Sequence, residues 1–296
     1  MKLRKLLTIA VALVMVFALV GCNQIEDNTP DDTSQVTPDS PPVKEPYPVS
    51  VYGGEFDDSP ESVVSLSPAL TKLIADLGVT DKLVGISEYC DLPGLELPTV
   101  GSPANPDING IIELKPTVVI TLSPLASTDK INLSQYGITV LEIPEAESYA
   151  ELCDIDISLC RVFFGAVESR DIAYDTLEPL DNALKTAKEA GISRSFICVE
   201  GVHDKGLILS GGETLEDDIL SVFGKNLLGE MPAVFMDEET LSLFEPSVIF
   251  AYDSVDRDDI RDYYEDAKII FLPESVFSQP SVAITHVIEE ILGELE

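Results

Sequence analysis

The sequence of 296 residues contains 18 Lys and Arg against 53 Asp and Glu, with two His, five Cys and no Trp, and its formal charge is -35. The length suits one large or two medium domains, and an apolar fraction of 45% is enough for a packed core. The acidity excludes a general nucleic-acid binder, because phosphate recognition needs clustered basic residues. The few Cys and His exclude a disulfide scaffold and a His-rich metal site, so we expect no resident metal or cofactor.

The first 22 residues have the order of a bacterial lipoprotein signal. Lys2, Arg4 and Lys5 precede an uncharged, largely apolar run that ends in Leu19-Val20-Gly21-Cys22. The run is short for a membrane span of about 20 residues and is typical of a signal peptide. Its end resembles the lipobox, which implies removal of residues 1–21 and lipidation of Cys22. An uncleaved anchor with an incidental Cys is the alternative, and either places the body outside the cytoplasm.

Residues 22–58 are predicted to form a lipidated, disordered tether. Polar residues there are mixed with six prolines and show no apolar period: Pro30, Pro38, Pro41, Pro42, Pro46 and Pro48. Such a composition cannot bury enough apolar surface to offset the entropy lost on ordering. We therefore expect an extended segment, partly in polyproline II conformation, that holds the folded body away from the lipid surface.

Residues 59–147 alternate buried strands with amphipathic helices. A strand over residues 63–66 leads to Ser67 as helix N-cap and Pro68 in the first helical turn, and Gly78 ends the helix. Further strands are predicted at residues 83–86, 118–121 and 139–143. This alternation predicts a parallel, Rossmann-like sheet in an α/β lobe.

A second such lobe is predicted over residues 192–296, after a mainly helical connector over residues 148–191. The second lobe has predicted strands at 195–199, 207–209, 248–250 and 269–272 and a last helix with apolar positions from Ile284 to Ile291. Its segment FEPSVIF (residues 244–250) matches LKPTVVI (residues 114–120) in the first lobe. An internal repeat of this kind indicates two similar lobes, with a ligand cleft where the strand ends face each other.

Four segments of the first lobe resemble a known family. They are ESVVSLSPALT (61–71), DKLVGISEYCD (81–91), LPTVG (97–101) and IELKP (112–116). They are similar to the class III substrate-binding proteins of ABC importers, the group that binds cobalamin, haem and iron siderophores. The resemblance covers residues 59–296 and is weaker after residue 191. It implies two Rossmann-like lobes joined by one long helix, a rather rigid hinge and a ligand held in a shallow cleft between the lobes.

The same resemblance implies the partners and the ligand-facing residues. The partners are an ABC importer permease and a metal chelate, and the chain is expected to be a monomer that meets the membrane only through its lipid. The matched cleft positions are Ser67, Pro68, Tyr89, Leu122, Ser123 and Phe277. His203 is added because it follows the predicted strand that ends at Val199 and so lies at the expected cleft edge. Tyr89 has a flat ring suited to a macrocycle, with packing on its own lobe as the alternative. His203 could ligate the open axial position of a haem or corrinoid metal, or lie in a solvated loop.

Docking to the permease has its own signature in this family. Members typically place one Glu on each lobe to pair with Arg on the transporter. Glu239 fits this position in the second lobe, whereas the matched residue of the first lobe is Asn109. The first-lobe contact is therefore expected to be a neutral hydrogen bond, or to use Asp107 or Glu113.

Other chemistries lack their motifs. No dinucleotide-binding glycine motif, phosphate loop or hydrolase nucleophile elbow follows a predicted strand, and the acid-base candidates Asp91, His203 and Glu274 are scattered. The missing motifs argue against an enzyme. The family resemblance, together with the lipobox, implies a lipid-anchored extracytoplasmic receptor that delivers an iron siderophore, haem or corrinoid to an ABC importer. Few basic residues near the predicted loops argue against a highly anionic chelate. A surface enzyme or an adhesin on the same bilobal scaffold is the alternative.

Overall fold

The described part of the chain begins near the predicted end of the tether. The computed structural model describes residues 46–90, 92–94, 96–203 and 205–296. The predicted signal peptide, the lipidation site Cys22 and the tether up to residue 45 lie outside the described residues.

Four parallel strands make the sheet of the first lobe. Its elements, with a preceding hairpin, are in chain order β1 (Val49–Val51), β2 (Gly54–Phe56), β3 (Val63–Ser65), α1 (Pro68–Asp76), β4 (Leu83–Ile86), β5 (Gly101–Ser102), β6 (Asn105–Pro106), α2 (Ile108–Leu114), β7 (Val118–Thr121), α3 (Ser127–Gln135) and β8 (Thr139–Glu142). The strand order is β4-β3-β7-β8, and each neighbouring pair is parallel. Val63 and Val118 belong to one apolar cluster and Val64 and Val119 to another, so both faces of the sheet are covered.

A single helix of 41 residues, α4 (Tyr149–Glu189), joins the two lobes, which confirms the predicted long connecting helix. The side chain of Ser148 caps its start by accepting a hydrogen bond from the backbone N–H of Glu151. The helix packs against β1 and α1 of the first lobe and against the last helix of the chain. Within the described ranges no helix is long and apolar enough to cross a membrane.

A break in α4 at Gly165 is held by the segment just before β1. Gly165 has φ 78° and ψ -179°, a conformation open essentially to glycine alone, and an added Cβ would lie 2.6 Å from the carbonyl oxygen of Pro46. The Ala166 N–H donates to that oxygen at 2.7 Å in place of the Val162 carbonyl. The Val162 carbonyl instead accepts from the Tyr47 hydroxyl at 2.8 Å. The break therefore leaves neither of these two backbone groups without a partner.

Residues 47–56, which the composition assigns to the tether, are part of the folded body. β1 and β2 pair antiparallel with Val49 opposite Phe56, and these two side chains and that of Val51 are buried. The expectation of disorder as far as residue 58 is therefore wrong for this stretch. The alternation of apolar and polar residues lets one face of the hairpin pack on the core, and this burial outweighs the effect of the flanking prolines.

The second lobe has a mixed sheet. Its elements are β9 (Arg194–His203), β10 (Gly206–Ser210), α5 (Leu215–Leu220), β11 (Gly224–Asn226), β12 (Val234–Asp237), α6 (Glu238–Leu241), β13 (Val248–Tyr252), α7 (Arg257–Arg261), β14 (Lys268–Leu272), α8 (Glu274–Ser278) and α9 (Ile284–Leu295). The order is β12-β10-β9-β13-β14, with β11 also beside β9. β10 is antiparallel to β9, so the prediction of a parallel strand at residues 207–209 is wrong. The connection between them is too short for the crossover that parallel strands require.

Matching hydrogen bonds support the internal repeat. The Thr117 N–H donates to the carbonyl of Ser62 at 2.8 Å, and the Ser247 N–H donates to the carbonyl of Ser195 at 2.9 Å. Thr117 and Ser247 are equivalent residues of the LKPTVVI and FEPSVIF segments. Each bond joins the start of one strand to the start of its neighbour. The two lobes therefore begin their central strand pairs in the same way.

Asp156 is a buried acid on α4. Its side chain is fully buried, and neither of its carboxylate oxygens accepts a hydrogen bond within the described part of the chain. Burial and, second, the charge of Asp76 at the end of α1 raise the pKa of Asp156 to about 7. Asp76 accepts a hydrogen bond from the backbone N–H of Val282 at 3.3 Å. The two acids thus lie where the first lobe, the connector and the second lobe meet.

Asp156→Asn is expected to remove a pH dependence of stability. With its raised pKa, native Asp156 holds a proton between about pH 4 and pH 7 that the unfolded chain has released, so stability falls over this interval and stays low above it. The fall amounts to about 4 kcal/mol. The Asn variant, whose buried amide costs about 1–3 kcal/mol, should be about 1–3 kcal/mol more stable than the parent at pH 8 but no more stable at pH 5.

Urea unfolding followed by far-UV circular dichroism at both pH values measures this difference, since the chain has no Trp to report by fluorescence. Asp154→Asn is the matched control, because Asp154 is exposed on the same helix. An equal pH dependence in the parent and in Asp156→Asn would contradict the assignment.

Candidate functional site

A cavity of about 500 Å³ lies between the two lobes. Its lining comes from α1, from the segments that follow β7 and β8, from the start of α4, from the segment before α5 and the first turn of α5, and from α8 and the residues after it. The lining residues are Ala69, Leu70, Leu73, Leu122, Glu145, Ala146, Glu147, Leu152, Ile155, Glu213, Thr214, Leu215, Glu216, Phe277, Ser278 and Pro280. Both lobes and the connector therefore contribute walls to one site.

Ser67 holds in place the part of the first lobe that lines the cavity, which we call the first-lobe wall. Its side chain is buried, and its hydroxyl oxygen accepts a hydrogen bond from the backbone N–H of Leu122 at 2.9 Å. Ser67 precedes α1 but makes no side-chain hydrogen bond to that helix, so its hydroxyl joins two strand ends. The first strand-to-helix turn and the end of β7 are thus held together, and Leu122 is presented to the cavity.

The cavity combines apolar walls with acidic side chains. Leu73, Leu152 and Phe277 contribute apolar surface from α1, α4 and α8. The acidic lining residues are Glu145, Glu147, Glu213 and Glu216, two from each lobe. Among the described residues that line the cavity, none is Lys, Arg or His. A ligand here would meet apolar surface together with negative charge from both sides.

Glu216 differs from the other three glutamates of the cavity because a hydrogen bond from another side chain holds its carboxylate in place. One of its carboxylate oxygens accepts a hydrogen bond from the Tyr252 hydroxyl at 2.7 Å. Burial first, and then the negative charge of Glu216, raise the pKa of Tyr252 well above its usual value, so the phenol stays protonated and donates. Thr214 caps α5 by accepting from the Asp217 N–H at 3.2 Å. These bonds fix the second-lobe side of the cavity.

Some of the predicted ligand residues meet at this cavity and others do not. Leu122 and Phe277 line it, and Ser67 lies behind its wall. Pro68 occupies the first turn of α1, directly before the lining residue Ala69.

The remaining three predicted ligand residues are exposed and do not line the described cavity. Tyr89 is 66% exposed, and Ser123, which follows the lining residue Leu122, is exposed as well. His203 ends β9 at the tip of the β9–β10 hairpin, where its ring packs edge-on against Phe235 at a centroid distance of 5.8 Å. Their contact with a ligand stays a prediction.

Cys90 follows Tyr89 but does not line the cavity, and its side chain contacts α1. Its sulfur is 3.2 Å from the hydroxyl of Thr71 on α1, and burial raises the pKa of the thiol. Across the described residues, no group of three or more His, Cys, Asp and Glu side chains is placed to hold a metal ion.

Sequence reasoning missed the glutamates and the α4 residues of the cavity. Glu145 and Glu147 follow β8, and in a parallel sheet the residues after a strand face the cleft, so strand position alone could have found them. Glu213 and Glu216 follow β10, for which the sequence analysis predicts the wrong direction. Leu152 and Ile155 of α4 read as ordinary core positions of a connector.

The two predicted docking residues occupy equivalent places. Asn109 and Glu239 are each the second residue of a short helix, α2 and α6, and both are exposed. Both helices begin with an Asp whose carboxylate accepts the backbone N–H three residues later, at 3.0 Å in each case. The caps, Asp107 and Asp237, thus hold the two positions in the same local geometry.

Comparison with known proteins finds one matching family and several similar substrate-binding proteins. Residues 63–275 match the family described as "Periplasmic binding protein". The chain is 28% identical over 263 residues to an uncharacterized ABC transporter substrate-binding lipoprotein of Bacillus subtilis, covering 83% of this chain and 80% of the relative. It is 33% identical over 98 residues to a vitamin B12-binding protein of Vibrio cholerae, covering 32% of this chain and 35% of the relative.

Solved structures share the fold. The periplasmic haem-binding protein of Vibrio cholerae superposes with a TM-score of 0.67 at 18% identity, covering 79% of this chain and 98% of that one. A siderophore-binding protein solved with acinetobactin and ferric iron superposes with a TM-score of 0.68 at 15% identity. The match covers 84% of this chain and 99% of that one. At these identities the likeness concerns architecture: two α/β lobes joined by a long helix.

Proposed function

The chain belongs to the periplasmic binding protein family, and from that membership we propose that it is an extracytoplasmic receptor that delivers a metal chelate to an ABC importer. The chelate is a corrinoid, a haem or an iron siderophore, the ligand classes named for its relatives and structural neighbours. The observation that carries the proposal is the cavity of about 500 Å³ walled by both lobes. Its size and mixed lining fit a ligand pocket. The work of the protein is binding and presentation, not bond breaking.

The ligand is held by apolar contact in the cavity and meets polar groups at its edge. Leu122 and Phe277 offer apolar surface from opposite lobes. Ser67 and Pro68 place the start of α1, with its unpaired N–H groups, beside the lining. A ligand too large for the cavity would extend out of it. We expect its outer part to contact Tyr89, Ser123 and His203, because all three are exposed at or beyond strand ends of the sheets.

Docking to the permease uses the helices α2 and α6. Glu239 supplies a carboxylate for an ion pair with a basic residue of the transporter. Asn109, at the equivalent place in the first lobe, supplies a neutral amide, and Glu113 on the same helix supplies a nearby charge. The second lobe therefore makes the stronger electrostatic contact.

Lipidation of Cys22 holds the receptor at the outer face of the cell membrane. The support is the order of basic segment, apolar segment and lipobox in the first 22 residues, together with the lipoprotein among the relatives. The acyl chains are then the membrane contact of a receptor that acts as a monomer.

A panel of chelates is expected to yield at least one that stabilises the chain. Residues 23–296 are mixed with cyanocobalamin, cobinamide, haem and ferric hydroxamate siderophores, and unfolding is followed by circular dichroism. At a hundredfold excess over its Kd, a ligand adds about 2.7 kcal/mol of stability and raises Tm by about 5–10 °C. Leu122→Trp, which fills the cavity, should abolish the shift, whereas Leu243→Trp on the exposed surface should keep it. No shift with any chelate counts against the proposal.

Glu239→Gln is expected to weaken transport about tenfold while ligand affinity stays unchanged, because one charge-assisted hydrogen bond to the permease is lost. Uptake of the chelate by cells that carry the importer measures the first quantity, and titration of the purified variant measures the second. Glu238→Gln is the control, since Glu238 is the adjacent exposed residue of α6. Asn109→Glu should strengthen docking by adding a second ion pair. Equal losses in Glu238→Gln and Glu239→Gln, or lost ligand binding, would refute this docking role.

Cys22→Ala is expected to prevent lipidation and to move the receptor out of the lipid-modified membrane fraction. Metabolic labelling with a fatty-acid analogue and fractionation of cells measure the two effects. Cys90→Ala, which alters a thiol of the folded body, should stay labelled. If Cys22→Ala remained on the membrane to the same extent as the parent, the uncleaved-anchor alternative would hold.

A further inference from the structure

We propose that the four glutamates of the cavity select a metal chelate that carries net positive charge over neutral or anionic ones. This inference rests on the proposed function, because it names the charge class of the ligand that the same cavity would take. Cationic corrinoids and hydroxamate chelates with a free ammonium group belong to this class. Haem with its propionates and tris-catecholate iron chelates do not.

The cavity is identified as the ligand site independently of its charge. It lies between the lobes, has about 500 Å³ of space and draws apolar walls from α1, α4 and α8. An apolar cavity of this kind would serve a chelate of any charge. The glutamates add the discrimination, because they face the cavity from both lobes: Glu145 and Glu147 from the first, Glu213 and Glu216 from the second.

The negative charge of the cavity has no basic side chain paired with it among the described residues. Within the described part of the chain, none of the four glutamates forms an ion pair with a basic side chain. The ion pairs of Lys and Arg seen there lie elsewhere, between Lys130 and Glu142 at 3.0 Å and between Lys268 and Glu294 at 3.6 Å. A bound cation would therefore be the counter-charge that the cavity lacks, whereas a bound anion would add to its repulsion.

The four carboxylates have unequal freedom. Glu216 is held by Tyr252 and defines a fixed point of negative charge on the second lobe. Glu145, Glu147 and Glu213 are exposed, so their side chains can turn toward a ligand of variable shape. At about 8 Å in watery surroundings each unit charge changes affinity by about twofold, and the set by about tenfold or more. Screening at physiological ionic strength lowers the combined effect to about threefold.

Cobinamide in different axial states tests the charge preference on one scaffold. The dicyano form is uncharged, and the diaquo form is doubly positive with the same corrin ring. Affinity is measured by titration calorimetry at low and at physiological ionic strength. If the panel shows a hydroxamate ligand instead, the matched probes are ferrioxamine with its free ammonium group and the N-acetylated form. The parent should bind singly positive ferrioxamine about tenfold more tightly than its neutral form at low salt and about threefold more tightly at physiological salt. For doubly positive cobinamide the preference is about a hundredfold at low salt and about tenfold at physiological salt.

The decisive variant replaces the three mobile acids as Glu145→Gln, Glu147→Gln and Glu213→Gln. Its charge-matched control carries Glu168→Gln, Glu178→Gln and Glu189→Gln, all exposed on α4 and away from the cavity lining. The first triple variant should lose most of the preference and its salt dependence, and the control should keep both. Loss of the preference cannot come from metal ligation by His203, because that contact is the same in every variant.

The outcomes separate the two proposals. A preference that survives in the cavity variant, or a parent that binds charged and uncharged probes equally, overturns the charge selection and leaves the receptor function standing. Tighter binding of haem than of any positive probe also overturns the charge selection and leaves the receptor function standing. If no probe of any charge binds, the proposed function fails and this inference fails with it.

Discussion

The connection of both lobes through α4 is the constraint on which the rest of the structure depends. The helix spans 41 residues with one break at Gly165, and it contacts β1 and α1 of the first lobe and α9 of the second. At the break the Pro46 carbonyl accepts from the Ala166 N–H and the Tyr47 hydroxyl donates to the Val162 carbonyl, so both backbone groups keep partners. The cavity between the lobes draws part of its lining from the start of this helix.

The chemistry of the cavity depends on the residues that α4 contributes to its lining and on those that it buries beside it. α4 contributes Leu152 and Ile155 to the cavity and buries Asp156 immediately beside them. Apolar contact and negative charge are therefore adjacent in one small region. Burial makes Asp156 take up a proton near neutral pH, whereas Glu145, Glu147 and Glu213 of the cavity are exposed to solvent.

The sequence was sufficient for the architecture and for part of the site. Strand and helix periodicity and the matched segments at residues 114–120 and 244–250 predicted two α/β lobes and a helical connector. Ser67 and Leu122 could be found because residues at strand ends face the cleft in parallel sheets. The hairpin at residues 47–56 could not, because its stability comes from packing on α4 and not from its own composition. The direction of β10 could have been predicted, because the seven residues between the predicted strands at 195–199 and 207–209 are too few for a parallel crossover.

The entry of the chain beside Gly165 has a mechanical consequence. Pro46 meets the connector near its middle, between the two lobes, and not at the outer end of either. A tie at this place constrains both parts of α4 at once, because Val162 lies before the break and Ala166 after it.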